Sequence, residues 1–201
     1  MPHDASIVGR VAVFCGSSHG REPTYTRAAQ QLGTLMVQRG LGLVYGGGDV
    51  GLMGVIADTV LEGGGEVIGV IPQTLVDREV AHSGLTELHV VDTMHQRKRM
   101  MYDRADAILA LPGGIGTFEE LFEALTWNQL GYLNEPCGLL NIGGYYGPLL
   151  EMLERMCQEG FVRRETLDQL RVEAEPGPLL DALMEDRESA GPKWPVGGRR
   201  A

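Results

Sequence analysis

The stretch Pro112-Gly-Gly-Ile-Gly-Thr-Phe-Glu-Glu120 carries more chemical meaning than any other part of this chain. Glycines let a backbone approach a ligand closely. Where such a turn opens a helix, free N–H groups and the helix dipole favour phosphate. Thr117 is placed to serve as both N-cap and phosphate donor, and Glu120 three residues on completes a capping box. Phe118, Leu121, Phe122 and Leu125 are expected to form the buried stripe of that helix, with Glu120 pointing roughly opposite, near the mouth of the turn. Glu119 and Glu123 share one flank, and Glu123 is read as a solvated position on it. On these residues alone, a tight turn with a capped helix and no ligand stays open.

Two further groups of residues can do chemistry. In Met94-His-Gln-Arg-Lys-Arg-Met-Met101, helical spacing puts Met94, Met101 and Ala105 on a narrow apolar stripe with Arg97 and Lys98 at its edges. Two cations at the margin of a buried face are costly unless they meet anions, or snorkel past their neighbours to water. His95 reads as a surface or supporting residue. Gly46-Gly-Gly-Asp-Val-Gly51 has the G-x-G-x-x-G spacing of a dinucleotide turn. The acidic residue that should hold a ribose would have to close the next strand, whereas Glu66 begins it. This turn is therefore read as a phosphate- or base-side loop, with Asp49 a turn residue.

The elements that must position these groups alternate strand and helix. Apolar runs at Val11 to Cys15, Leu41 to Tyr45, Val67 to Ile71, Leu88 to Val91, Ala107 to Leu111, Cys137 to Leu140 and Leu170 to Val172 read as strands. Helices are expected from Tyr25 to Leu35, Leu52 to Leu61, Met94 to Arg104, Phe118 to Leu130, Leu149 to Cys157 and Leu179 to Met184. Residues 73–86 are polar and irregular, a candidate active-site loop. Repeated βα units with continuous apolar strands imply an α/β fold: a single Rossmann-like, doubly wound parallel sheet covered on both faces. Residues 1–8 are expected to be a flexible N-terminus, 9–186 the domain, and 187–201 a loose tail. The glycine turns at 16, 46–48 and 113–116 all fall at the carboxyl ends of strands, where such sheets bind ligands.

Length and composition agree with one domain: 201 residues, 43% hydrophobic and 22% charged. A net charge of −10 argues against broad nucleic-acid or anionic-membrane binding, so an anionic ligand needs a locally cationic site. Three cysteines without metal spacing, together with no signal core and no membrane-length apolar run, point to a reduced cytoplasmic setting.

Together these residues resemble the Lonely Guy family. The 112–120 stretch matches its P-G-G-x-G-T-x-x-E signature, and Met94 to Met100 matches its second characteristic helix. The likeness runs from Val11 to about Phe161 and includes Phe14-Cys-Gly-Ser-Ser18, Tyr45-Gly-Gly-Gly48 and Gly143-Gly-Tyr-Tyr146. The resemblance implies hydrolysis of cytokinin riboside 5′-monophosphates, and often AMP, to free base and ribose 5-phosphate. It implies that Arg97 and Glu120 carry the chemistry. It implies that Glu79, Lys98, the turn Gly113, Gly114, Ile115, Gly116 and Thr117, Glu119 and Thr126 hold the nucleotide. No cofactor or metal is implied, and a homodimer is expected.

Cleaving an N-glycosidic bond passes through an oxocarbenium-like sugar that needs a carboxylate beside it. Glu120 suits that role as nucleophile or general base, and Arg97 can stabilise the departing base or steady Glu120. Such chains are also called lysine decarboxylases. That chemistry needs pyridoxal phosphate on a lysine, and the chain has only Lys98 and Lys193. A binding module without catalysis would keep the glycine turn but not need Glu120 and Arg97 together. A phosphoribosyl transferase is the other enzymatic alternative.

Overall fold

Val11, Ala12, Val13 and Phe14 are apolar at every position, so a strand made of them must be covered on both faces. The computed structural model describes residues 8–76 and 81–190 and builds that strand as β1 (Gly9–Phe14). There follow α1 (Pro23–Gln38), β2 (Leu41–Tyr45), α2 (Gly51–Glu62), β3 (Val67–Pro72), α3 (Gln73–Val76), β4 (Glu87–Val91), α4 (Met94–Arg104), β5 (Ala107–Ala110) and α5 (Ile115–Leu130). The chain ends its described part with β6 (Cys137–Leu140), a 3₁₀ turn at Ile142–Gly144, α6 (Gly147–Gln158), α7 (Arg164–Asp168), β7 (Leu170–Glu173) and α8 (Pro176–Ala190).

The strands form one seven-stranded sheet in the order β4-β3-β2-β1-β5-β6-β7, and every pairing is parallel. The order reverses direction between β1 and β5, which opens a crevice at their carboxyl ends. One apolar layer lies under α1, α2 and α8, with Leu32, Ile56 and Leu180 fully buried. The other lies under α4, α5 and α6, built on Met101, Tyr102, Leu121 and Leu153. Central strands are buried apart from the half-buried Arg10 of β1, whereas the edge strands β4 and β7 leave residues such as Glu87, Leu88, Val90 and Arg171 exposed.

All seven strands stand where the apolar runs put them. The helix ends and caps differ in several ways. Helix α5 begins at Ile115 with Gly114 as N-cap and no side-chain cap, so Thr117 lies inside the first turn and the expected Thr117–Glu120 capping box does not form. A capping box forms instead at α4, where Thr93 accepts from the Gln96 N–H at 3.1 Å and Gln96 reaches back to the Thr93 N–H. Helix α8 runs to Ala190, so residues 187–190 are helix and not loose tail. Arg187 donates to the Val8 carbonyl at 3.1 Å. Residues 1–7 and 191–201, on which the terminal expectations otherwise rest, lie outside the described residues. Among the described residues, no helix is long and apolar enough to cross a membrane.

Candidate active site

The site grows from the faces that α4 and α5 turn toward each other. Helix α4 buries Arg97 and Lys98 along with Met101 and Tyr102. Helix α5 buries Thr117, Glu120, Leu121 and Ala124. Glu120 is therefore on the inner face of its helix, not opposite the apolar stripe as expected, and Phe122 is the residue that turns outward. Met94 is also exposed, so the apolar stripe of α4 narrows to Met101 and Ala105. The cations do not snorkel to water; they meet anions.

The Arg97 guanidinium lies 3.4 Å from a Glu120 carboxylate oxygen, and each residue is only 8% exposed. Its Nε donates to the Val70 carbonyl of β3, 3.1 Å away. Taking both charges out of water is costly, and a hydrophobic pair of the same volume is often at least as stable. A buried pair of this kind is better explained by chemistry than by stability. Glycine at position 46 makes the room: a β-carbon there would clash with an Arg97 Nη atom. The first residue of the Gly46–Gly51 motif thus serves the arginine, and Glu66 sits at the opposite end of the sheet, bonded to Arg10 at 2.6 Å.

Lys98 forms a second, separate cluster. Its ammonium meets Glu119 at 2.5 Å and Glu123 at 2.9 Å. Burial works against the charge, but the hydrogen bonds to Glu119 and Glu123 outweigh it, and the pKa is raised above the ordinary lysine value. Glu123 is not the solvated flank residue its position suggested: it also accepts from the Tyr102 hydroxyl at 3.2 Å. The same hydroxyl lies 3.2 Å from the Glu120 backbone carbonyl. Tyr102, which the sequence did not single out, therefore ties the carbonyl of Glu120 to the carboxylate of Glu123.

Gly113, Gly114, Ile115, Gly116 and Thr117 form the turn and the first turn of α5, with Gly114, Ile115 and Gly116 exposed at the crevice. The three strand-end turns interlock there. Gly16 N–H donates to the Pro112 carbonyl at 3.2 Å, and Leu52 N–H donates to the Gly16 carbonyl at 3.0 Å. A cavity of about 270 Å³ opens beside them, lined by Ser17, Ser18, Tyr25, Gly113, Gly114 and Tyr145. Cys15, just before Gly16, has its thiol pKa raised by burial and by the negative charge of Glu120.

The remaining expected site residues fall elsewhere. Thr126 is exposed, and its hydroxyl donates to the Phe122 carbonyl at 2.7 Å, so this chain does not bring it to the Arg97–Glu120 pair. Glu79 lies outside the described residues. His95 is exposed, as expected. Asp49, Asp58 and His82 hold three potential ligand atoms within 4.8 Å of one another. Both ring nitrogens of His82 are engaged, however, Nε2 with Asp58 at 2.9 Å and Nδ1 with the Gly84 N–H at 3.1 Å. His82 also pins the glycine loop through its own N–H to the Gly47 carbonyl, at 3.1 Å.

Comparison with known proteins follows the same line. A family model described as "Possible lysine decarboxylase" matches residues 53–183. A cytokinin riboside 5′-monophosphate phosphoribohydrolase of Arabidopsis thaliana is 49% identical over 186 residues, covering 92% of this chain and 87% of that protein. A probable cytokinin riboside 5′-monophosphate phosphoribohydrolase of Oryza sativa subsp. japonica is 48% identical over 176 residues, 88% of this chain and 72% of that one. Among solved structures, the molybdenum cofactor binding protein of Rippkaea orientalis shares the fold with a TM-score of 0.67 at 22% identity, covering 88% of this chain and 96% of that one. A molybdenum cofactor carrier protein of Chlamydomonas reinhardtii has a TM-score of 0.67 at 20% identity, covering 89% of this chain and 97% of its own. At that identity these structures speak for the fold alone. The family match spans more than half of the chain, and near-half identity extends over most of the curated relatives: the chain belongs to the Lonely Guy family of cytokinin riboside 5′-monophosphate phosphoribohydrolases.

Proposed function

We propose that this protein hydrolyses the N-glycosidic bond of cytokinin riboside 5′-monophosphates, and of AMP, to free base and ribose 5-phosphate. The observation that carries the reading is the buried Arg97–Glu120 pair, 3.4 Å apart on the inner faces of α4 and α5, with Glu120 on the helix that the glycine turn opens. Water adds to the anomeric carbon, the bond to the base nitrogen breaks, and the base leaves with a proton. Positive charge grows on the sugar in between, and Glu120 supplies the carboxylate that stabilises it. Arg97 holds Glu120 in place. Gly113, Gly114, Ile115, Gly116 and Thr117 anchor the 5′-phosphate, so binding energy far from the reacting carbon orients it. Lys98, Glu119, Thr126 and Glu79 complete the nucleotide's surroundings.

The same reading makes the protein a cytoplasmic homodimer. Ile115, Glu119, Phe122, Thr126 and Leu130 recur at helical spacing along one exposed face of α5, with Ile115 90% and Leu130 61% exposed. A second copy covering that face would also give Thr126 a place at a shared site.

Lysine decarboxylation is disfavoured by a specific contact. A Schiff base needs a neutral amine, whereas the Lys98 ammonium is held between Glu119 and Glu123 with its pKa raised. The test is incubation of the purified protein with AMP, an N6-alkyl AMP, adenosine and lysine, followed by assay of free base and carbon dioxide. Base release from the monophosphates is expected, with little from adenosine. Equal rates on adenosine and AMP would remove the phosphate anchor, and carbon dioxide from lysine would overturn the hydrolase reading.

A further inference from the structure

Three consecutive carbonyls at the head of the glycine turn are each engaged by a donor from another segment. The Tyr146 hydroxyl donates to the Leu111 carbonyl at 2.6 Å. The Gly16 N–H donates to the Pro112 carbonyl at 3.2 Å. The Tyr145 hydroxyl donates to the Gly113 carbonyl at 2.5 Å. Carbonyl oxygens are acceptors only and oppose an anion, so a turn that is to hold phosphate works best when its carbonyls are directed elsewhere and its N–H groups face the ligand.

The two tyrosines are adjacent, yet they reach carbonyls on either side of Pro112. Gly143 and Gly144 before them take φ values of 60° and 76°, a left-handed backbone that favours glycine. The Tyr146 N–H is fixed by the Asn141 side chain at 2.7 Å. The Tyr145 ring packs edge-on against Tyr25 and Tyr146, with centroids at 5.9 and 5.1 Å, so the direction of its hydroxyl is set by ring packing. Tyr146 is fully buried, while Tyr145 forms a wall of the 270 Å³ cavity beside the turn. The Gly143-Gly-Tyr-Tyr146 segment, conspicuous in the sequence but without a role there, thus converges on the backbone of the turn.

Resting on the reading that this turn holds the 5′-phosphate, we propose that Tyr145 and Tyr146 are positioning residues of the phosphate cradle. With Gly16 they hold the Leu111, Pro112 and Gly113 carbonyls, so that the N–H groups at the start of α5 meet the phosphate without competing acceptors.

The test uses Tyr145→Phe, which keeps the ring and removes the hydroxyl, with Tyr146→Phe as a second variant. Inhibition by ribose 5-phosphate and by inorganic phosphate is measured on the full chain, along with kcat, KM for an N6-alkyl AMP and Tm. Loss of one such hydrogen bond is expected to weaken both inhibitors and raise KM by about 3- to 10-fold. For Tyr145→Phe, kcat should stay within about twofold, the pattern of lost binding that ground and transition states share. Tyr146→Phe should weaken the inhibitors likewise, with a lowered Tm, because its hydroxyl is buried. Inhibition of the unaltered protein that is unchanged in both variants would overturn the tyrosine proposal alone, even if Tm fell. An unaltered protein inhibited by neither ribose 5-phosphate nor phosphate would overturn the phosphate reading, and the tyrosine proposal with it.

Discussion

Arg97 and Glu120 face each other across the gap between α4 and α5, 3.4 Å apart and both buried. Both lie on the buried face of their own helix, and each is tolerated inside because the other is there. A third element makes the pairing possible, since the end of β2 passes so close that position 46 has no room for a β-carbon.

Gly46→Ala is therefore expected to act through Arg97. The new methyl must displace the guanidinium or the loop, at an overpacking cost of about 1–3 kcal/mol. Turnover of an N6-alkyl AMP should drop by at least tenfold, the scale that misplacement of a catalytic group can reach. Kinetics and a thermal melt on the one variant check this. Full activity would show that the site does not depend on where the loop holds Arg97.

The Lys98 cluster has a pH signature. The folded-state pKa of Lys98 is raised, so the folded protein binds its proton more tightly than the unfolded chain does. The resulting stabilisation is complete below the ordinary lysine value of 10.5 and is lost as pH rises through the elevated folded value. Lys98→Met removes it and leaves Glu123 half-buried without a cation, at a cost of about 1–3 kcal/mol. Urea melts of both proteins should show a gap at pH 8 that narrows as pH climbs above 10.5. A gap that widens with pH would contradict the assignment.

Thiol reactivity gives an independent check of burial. The Cys137 thiol is pushed up to about 12 by burial and by Glu135, and Cys15 is raised by burial and Glu120. A thiolate is the reactive species, so both should label slowly in the native protein at pH 8 and quickly once it is unfolded. Fast native labelling at Cys15, read by peptide mass spectrometry, would mean that the crevice near Glu120 is open to solvent.

The proposed homodimer is tested at Phe122. This residue is 37% exposed on the outer stripe of α5, so Phe122→Lys gives up part of the ring's burial, at a cost of about 1 kcal/mol, and should leave an isolated chain folded. Light scattering is expected to show a dimer for the unaltered protein and a shift to monomer for the variant. A monomeric, fully active unaltered protein would contradict the assembly.

Much of the fold was legible because its signals are local. Runs such as Leu41 to Tyr45 are apolar throughout, and that pattern survives any tertiary arrangement. The four- and five-residue helices α3 and α7 were not legible, being too short to show a period. The capping box was misplaced because Thr117-Phe-Glu-Glu120 and Thr93-Met-His-Gln96 match the same pattern, and only the backbone decides which threonine precedes its helix. Arg97 and Glu120 were named from motif and resemblance, yet the burial of Glu120 could not be read from α5. Phe118, Leu121 and Leu125 suggested a face that excluded it, and the cation that admits it comes from another helix. For the same reason Glu123 looked solvated, since Lys98 and Tyr102 lie more than 20 residues away in sequence.

The most direct measurement is turnover of an N6-alkyl AMP by Glu120→Gln, alongside Arg97→Ala and the exposed control Glu151→Gln, with Tm recorded for each. Glu120→Gln keeps the size of the side chain and removes its charge. If the carboxylate stabilises an oxocarbenium-like sugar, turnover is expected to fall by roughly 100-fold or more. Arg97→Ala should fall comparably, and Glu151→Gln should match the unaltered protein. A folded Glu120→Gln protein that turns over normally would contradict the catalytic role of the pair and leave it a structural contact between two helices.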